Sequence, residues 1–277
     1  MSSTATQQKF GFKFGRNGAH SARTMMLAEV TELFHGRGVD ASAAQYQEDI
    51  ELFNVLHKPT EKARKLTWRH LVDLYAMDKE VVLFRTFRRL WESDERARAL
   101  LTCQMALARD PLLRLSQNKI VGLAPGQLLP REEMEQAFEE QFPDRYSPAM
   151  LKSLAQNVNG TWTNAGFLQG RSKKHRTEPD IHPVNVAFAL FLGYLQGASG
   201  NRLFNTEWTK LFGCRLERLL ELARQASYSG LLNFKHSSEV VEVTFPDYLT
   251  KEEEGWLHEY LQCSRPECKE FAMLRSA

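Results

Sequence analysis

The side chains best suited to chemistry lie in one run. Arg171, Lys173, Lys174, His175 and Arg176 place five basic or titratable groups within six residues. Directly before them, Leu151 to Asn164 carries Lys152, Ser153, Gln156, Asn157, Asn159 and Asn164 between apolar residues. Cations at this density suit phosphates, and they position a partner without reading sequence. Asn and Gln amides can bond adenine edges, and a Ser hydroxyl can bond several base edges. This is binding chemistry for a nucleic acid, not bond-making chemistry. The plainer alternative is an amide-rich solvated helix face followed by an ordinary basic loop.

Such groups need elements to hold them. Ser147 is a good N-cap and Pro148 a good first helical residue. Leu151, Leu154, Ala155, Val158 and Trp162 then recur at helical spacing, which turns the amides to the opposite face. Gly160 weakens this helix and Gly166 is expected to end it. A shorter helix, "REEMEQAFEEQF", precedes it, with Met134, Phe138 and Phe142 on one side. Helix, turn, helix and short hairpin is the plan of a winged helix-turn-helix. The 148–164 segment is its recognition helix, with Lys152, Ser153, Gln156 and Asn157 as candidate DNA contacts. Arg171, Lys173, Lys174, His175 and Arg176 are the candidate contacts on the wing.

The plan recurs further on. "HPVNVAFALFLGYLQGASG" reads as a core helix, "NTEWTKLFGC" as a short helix capped by Asn205 or Thr206, and "RLERLLELARQASYSGLLNF" as a long helix ending at Gly230. "LLNFKHSSEVVEVTFP" follows as a hairpin whose second arm, Val240 to Phe245, alternates. This second wing mixes Lys235 and His236 with Glu239 and Glu242, so it is assigned to structure or protein contact.

The remaining chain frames these units. Residues 1–18 read as a flexible basic tail with Lys9, Lys13 and Arg16. Residues 19–125 read as a helical domain, with Asp40 a candidate N-cap and a break at Asp110-Pro111. Its arginines, Arg85, Arg88, Arg89, Arg96, Arg98 and Arg109, alternate with acids and read as a solvated, salt-bridged face. "GLAPGQLLP", Gly122 to Pro130, is the best linker. Residues 126–250 form the tandem winged-helix-like region. Residues 251–277 form a tail with a short helix anchored by Trp256 and Leu257. The expected fold is therefore mainly α: a helical N-terminal domain, then winged helix-turn-helix-like units with short β-hairpin wings.

Composition narrows the function classes. The net charge is only +2, so an argument for nucleic acid rests on where the charges sit. The four cysteines, Cys103, Cys214, Cys263 and Cys268, are too few and scattered for a disulfide framework and suit a reducing compartment. The longest apolar run, Val184 to Leu195, is too short to span a bilayer. A cytoplasmic protein without membrane contact is expected. There is no Gly-rich phosphate loop, metalloprotease motif or nucleophile elbow. Asp180 and His182 lie near His175, but no Glu-x-Lys follows and prolines flank them, so a nuclease site is not expected. His258, Cys263 and Cys268 are spaced too loosely for zinc, with only His236 to complete a set. No cofactor, metal or enzymatic activity is expected.

The blocks "YSPAMLKSLAQNVNGTWTNAGFLQG", "HPVNVAFALFLGYLQGASGNRLFNTEWTKLFG" and "GLLNFKHSSEVVEVTFP", in that order, resemble the BrxA family of bacterial BREX phage-defence systems. "FNVLHKPTEKARKLTWRHLVDLY" resembles the helical start of that family. The resemblance covers most of the chain and contains no catalytic signature. It implies a non-enzymatic DNA-binding accessory protein, encoded among a methyltransferase, a phosphatase-like protein and an ATPase that modify host DNA and block phage. Its implied partners are double-stranded DNA and other BREX defence proteins. The alternatives on the same fold are a winged-helix transcriptional regulator, a protein–protein adaptor within the defence complex, and an RNA binder.

Overall fold

The computed structural model describes residues 3–237 and 240–263. The order begins α1 (Ser3–Phe10), α2 (Leu27–Gly36), α3 (Ala43–Glu51), α4 (Glu61–Tyr75), α5 (Val82–Trp91), α6 (Arg98–Arg109) and α7 (Pro111–Val121). It continues β1 (Leu128–Leu129), α8 (Arg131–Gln141), α9 (Pro148–Asn164), β2 (Leu168–Gln169) and β3 (Lys174–Arg176). It closes with α10 (Pro183–Leu195), α11 (Glu207–Lys210), α12 (Leu216–Tyr228), β4 (Asn233–Ser237), β5 (Val240–Thr244) and α13 (Lys251–Cys263). The fold is mainly α with small antiparallel β-hairpins. Among the described residues no helix is long and apolar enough to cross a membrane.

Helices start where side chains can satisfy their free N–H groups. Thr60 caps α4, Asp110 caps α7 ahead of Pro111, Ser147 caps α9 ahead of Pro148, and Thr206 caps α11. The cap of α3 is Ser42, in a reciprocal box with Gln45, and not Asp40. Ser42 lies in the extended region immediately before the first helical residue, the position from which a side-chain oxygen can reach the third N–H.

Buried apolar residues form one cluster from Phe10 to Leu257, so the boundary expected near residue 125 does not separate two cores. Phe34, Tyr46, Phe84, Phe87 and Trp91 make an aromatic nest, with the Phe34 and Trp91 centroids 5.2 Å apart in an edge-on pair. Burying each such side chain contributes about 1.5–3 kcal/mol. α10 is buried around nearly its whole circumference, as its unbroken apolar run requires.

Of the arginines expected on a solvated, salt-bridged face, Arg88 and Arg109 are buried instead. Arg88 is buried against the Phe34 ring and donates to the Phe34 and Arg37 carbonyls. Arg109 is buried too and donates to the carbonyls of Gly11, Val72 and Asp73. Burial pulls the Arg109 pKa down to about 10, which leaves it charged at neutral pH. Arg85 pairs with Glu253, Arg96 with Asp94 and Arg98 with Glu95.

Residues 3–18 are not a flexible tail. Phe10 and Phe12 are buried, Lys13 pairs with Asp73, and Arg109 and Arg114 hold the Gly11 and Lys13 carbonyls. α1 packs against α13, with Lys9 over the Trp256 ring. Two buried phenylalanines in a basic stretch outweigh its charge. Residues 264–277 of the expected C-terminal tail lie outside the described residues.

The expected linker also has a different role. Leu128 and Leu129 pair with His175 and Lys174, and Leu129 is buried. The Gly126 N–H donates to the Arg176 carbonyl. The segment is the third strand of the wing sheet, in the order β1–β3–β2. A two-residue strand is too short to show alternation in sequence.

Candidate nucleic-acid interface

α7, β1, α8, α9 and the β2–β3 hairpin form the first unit. α8 packs on α9 through Met134, Phe138, Leu154, Ala155 and Val158, all buried. α9 runs unbroken through Gly160, contrary to the expected weakness. A Cβ there would sit 3.1 Å from Thr24 Cγ2, so the bare backbone lets α9 lie close against residue 24. Gly166 follows α9 as expected. The Phe167 N–H returns to the Trp162 carbonyl, and Trp162 Nε1 donates to Ser116 Oγ at 2.8 Å. The Trp162 and Phe167 rings meet edge-on at 4.9 Å, which sets the start of β2 relative to the helix. Gly170 turns the wing with φ +103°, and a Cβ there would lie 2.1 Å from the Lys173 carbonyl oxygen. Only glycine fits that turn.

A buried seam anchors this unit to the helical half. His20 Nδ1 hydrogen-bonds Asp110 Oδ2 at 2.8 Å, and its Nε2 hydrogen-bonds Thr161 Oγ1 at 2.8 Å. The His20 and Met25 N–H groups donate to Asp110 and Thr161 respectively. Burial alone would push the Asp110 carboxyl up. The facing His20 ring, the His20 N–H and the Leu113 N–H outweigh it and hold the group below the usual carboxylate range. The hydroxyl–imidazole–carboxylate order resembles a nucleophilic triad. All three side chains are buried, though, and the Thr161 oxygen is occupied by Met25, so the seam joins parts of the fold. Sequence offered no signal for it, because His20 lies 90 residues from Asp110 and 141 from Thr161.

The candidate DNA contacts separate into groups. Lys152, Ser153 and Gln156 are exposed on α9. Arg171 and Lys173 are exposed at the wing tip and make no ion pair among the described residues. Lys174 and His175 are half-buried in β3. Lys174 Nζ donates to the Gly170 carbonyl, and burial lowers its pKa. Two candidates are corrected. Asn157 is half-buried and its amide donates to the His20 carbonyl at 3.0 Å, so it ties α9 to the loop before α2. Arg176 is 5% exposed, stacks on Phe167 and donates to the Ile120 and Phe167 carbonyls. Alternation along β3 turns Arg176 inward, where it adds a charged donor to carbonyls that also accept from the Leu123 and Thr177 N–H groups.

Between α9 and the wing lies an open groove of about 620 Å³, lined by Arg131, Gln156, Asn159, Gly160, Arg171, Ser172 and Lys174. No acidic residue lines it. A second groove of about 560 Å³, near Trp91, differs: Glu32, Glu92 and Glu95 line it together with Arg37 and Arg98. Arg131 was not singled out by sequence, and Asn159, expected on the polar face of α9, is buried beside the groove. Arg131 begins α8, and its cationic head reaches the groove only through the packing of α8 on α9.

The second unit repeats the plan with α10, α11, α12 and the β4–β5 hairpin. Its wing charges are paired: Lys235 lies opposite Glu242 in the ladder, with Nζ 3.5 Å from the carboxylate. Glu239 lies outside the described residues.

His182 bonds Asp180 at 3.0 Å and Asp94 at 3.2 Å, which tethers the start of α10 to the turn before α6. Among the described residues no group of three or more His, Cys, Asp or Glu is placed to hold a metal ion. Of the loosely spaced zinc candidates, Cys268 lies outside the described residues.

No family model matches the chain, and no curated protein matches it. Among solved structures it is similar to one titled "SspB crystal structure", with TM-score 0.54 and 10% identity over 92% of this chain and 99% of that one. It is also similar to "Magnesium ion-bound SspB crystal structure", with TM-score 0.47 and 11% identity over 93% and 96%. At 10% identity the first likeness shows the fold alone: a mainly helical chain with small β-hairpins, shared over nearly the whole length of both proteins.

Proposed function

We propose that this chain is a non-enzymatic protein that binds double-stranded DNA through α9 and the β2–β3 wing. Its context is a BREX-type phage-defence assembly, in line with the resemblance to the BrxA family. The observation that carries the DNA reading is the groove between α9 and the wing. Its charged lining is entirely cationic, and Arg171 within it and Lys173 beside it have no ion-pair partner among the described residues. Unpaired cations at the tip of a projecting hairpin can neutralise phosphates, while Lys152, Ser153 and Gln156 face outward for a groove edge.

The test is fluorescence anisotropy with a short duplex at two salt concentrations. The variant carries Arg171→Ala and Lys173→Ala. It leaves Arg176 in place, because the buried Arg176 would confound binding with folding. The variant is expected to bind about tenfold more weakly, which is about 1.4 kcal/mol. Its plot of log K against log salt should be shallower by about 0.9 for each cation lost. An unchanged slope would remove the wing from the DNA site. Absence of duplex binding by the wild type would leave the adaptor reading, which the exposed Tyr228 and Val240 around the second wing favour.

A further inference from the structure

The groove beside α9 has a feature that duplex binding leaves unused. Asn159 is only 4% exposed, yet its Oδ1 is buried without a hydrogen-bond partner. An unpaired buried acceptor is destabilising. Gln117 Oε1 is buried without a partner too, but it does not line this groove; Asn185 and Gln104 are engaged, donating to the Ala97 and Asn185 carbonyls.

The position of Asn159 limits what could satisfy it. It lies one helical turn or less from the exposed Gln156, at the floor of a groove whose rim carries Arg131, Arg171, Ser172 and Lys174. A base edge within a stacked duplex stays at the level of the rim. A single base swung out of the stack can descend to the floor. The groove volume of about 620 Å³ lies in the range of small-ligand sites, about 300–1,000 Å³. The chemistry divides by depth, with amides at the bottom and beside it, and cations and a hydroxyl above. A nucleotide divides the same way, with hydrogen-bonding groups on the base and anionic oxygens on the phosphate. Part of the Arg131 charge is shared with Glu132 and Glu135, so Arg171 and Lys174 supply most of the free positive field.

We propose that this groove receives one unpaired nucleotide of a DNA strand, the Asn159 amide turning so that Oδ1 accepts from its base beside Gln156, and its phosphate lying against Arg171 and Lys174. The proposal rests on the DNA-binding reading and adds a preference for DNA with a base outside the helix. Bases extruded from a duplex are read in this way elsewhere, by hydrogen bonds to their pairing edge.

The experiment compares a fully paired duplex with the same duplex carrying one unpaired adenosine, by anisotropy at fixed salt. The full-length protein is expected to bind the unpaired-adenosine duplex about tenfold more tightly. Asn159→Leu should abolish that preference while keeping the affinity for the paired duplex. It should also keep or raise the thermal midpoint, because an unsatisfied buried acceptor has been removed. Gln156→Ala, on an exposed position, should weaken the preference without touching the fold. Equal wild-type affinity for both duplexes would overturn the nucleotide pocket and leave duplex binding intact. A preference that survives both variants would overturn it as well, since it would then come from the bend in the DNA. Calorimetric binding of adenosine monophosphate without any duplex preference would overturn the strand-borne source in favour of a free nucleotide. Failure to bind either duplex would overturn both readings together.

Discussion

In the first helix–hairpin unit, Arg171 and Lys173 project from the wing without ion-pair partners among the described residues, beside a groove with a cationic lining. In the second, Lys235 faces Glu242 across the ladder, and α12 carries a paired Arg224 and Glu221. The order of elements is nearly the same. What differs is whether the charges are already neutralised. A shared plan of helices therefore does not carry a shared function; the side chains grafted on it decide. The same contrast holds inside the first wing, where Arg171 is free to meet a partner and Arg176 is used up by two carbonyls.

The sharpest way to break this comparison is at the anchor of the first unit. Asp110→Ala would strip the His20 ring of its partner and uncap α7. A loss of about 3–5 kcal/mol in urea unfolding is expected, as for other buried charged partners. A loss below about 1 kcal/mol would mean the seam does not hold the unit in place. The depressed Asp110 pKa also gives a direction with pH. The unfolded chain binds its proton at about pH 3.9 and the folded chain only below that. Its stabilisation is thus present above the unfolded value and lost as pH falls through the folded one. Asp110→Asn should flatten the fall in stability over that acid range, measured as unfolding midpoint against pH.

Arg176→Ala comes next in size. Two carbonyls lose a charged donor and the Phe167 ring loses its stacked guanidinium, and a cost of about 1–3 kcal/mol is expected in a thermal or urea melt. The salt slope of DNA binding by the fraction still folded should not change. A slope shallower by about 0.9 would return Arg176 to the phosphate contacts. Smallest of all is the second wing. Lys235→Ala with His236→Ala should alter duplex affinity by less than about twofold, because an exposed pair such as Lys235–Glu242 contributes only about 0–1 kcal/mol. A tenfold loss would make the two wings equivalent and end the distinction.

Much of the first unit was legible in sequence. Ser147 and Pro148 marked the start of α9, apolar spacing marked its buried face, and Gly166 marked its end. The second wing showed in the alternation of Val240 to Thr244, where Val241 and Val243 are buried. The candidate interface was less legible. Of the nine candidate contacts, Asn157 and Arg176 turn inward; Arg131 enters the groove unannounced, and Asn159, expected on the polar face, lines it while buried. A basic run does not reveal which of its members will meet a buried carbonyl. Nor did the basic N-terminal stretch reveal that Phe10 and Phe12 would be buried against the core.

Sequence alone determined most of the helices, several of their caps and the plan of helix, turn, helix and hairpin, because caps and periodicity act between residues three or four apart. Tertiary structure alone decided which charges are free, which amide lacks a partner, and that Leu128 and Leu129 close the first wing sheet. Those outcomes depend on groups as distant in the chain as His20 and Thr161. Such pairs form only when the packing of the whole core brings them within hydrogen-bond reach, and desolvation then makes an unmet partner costly.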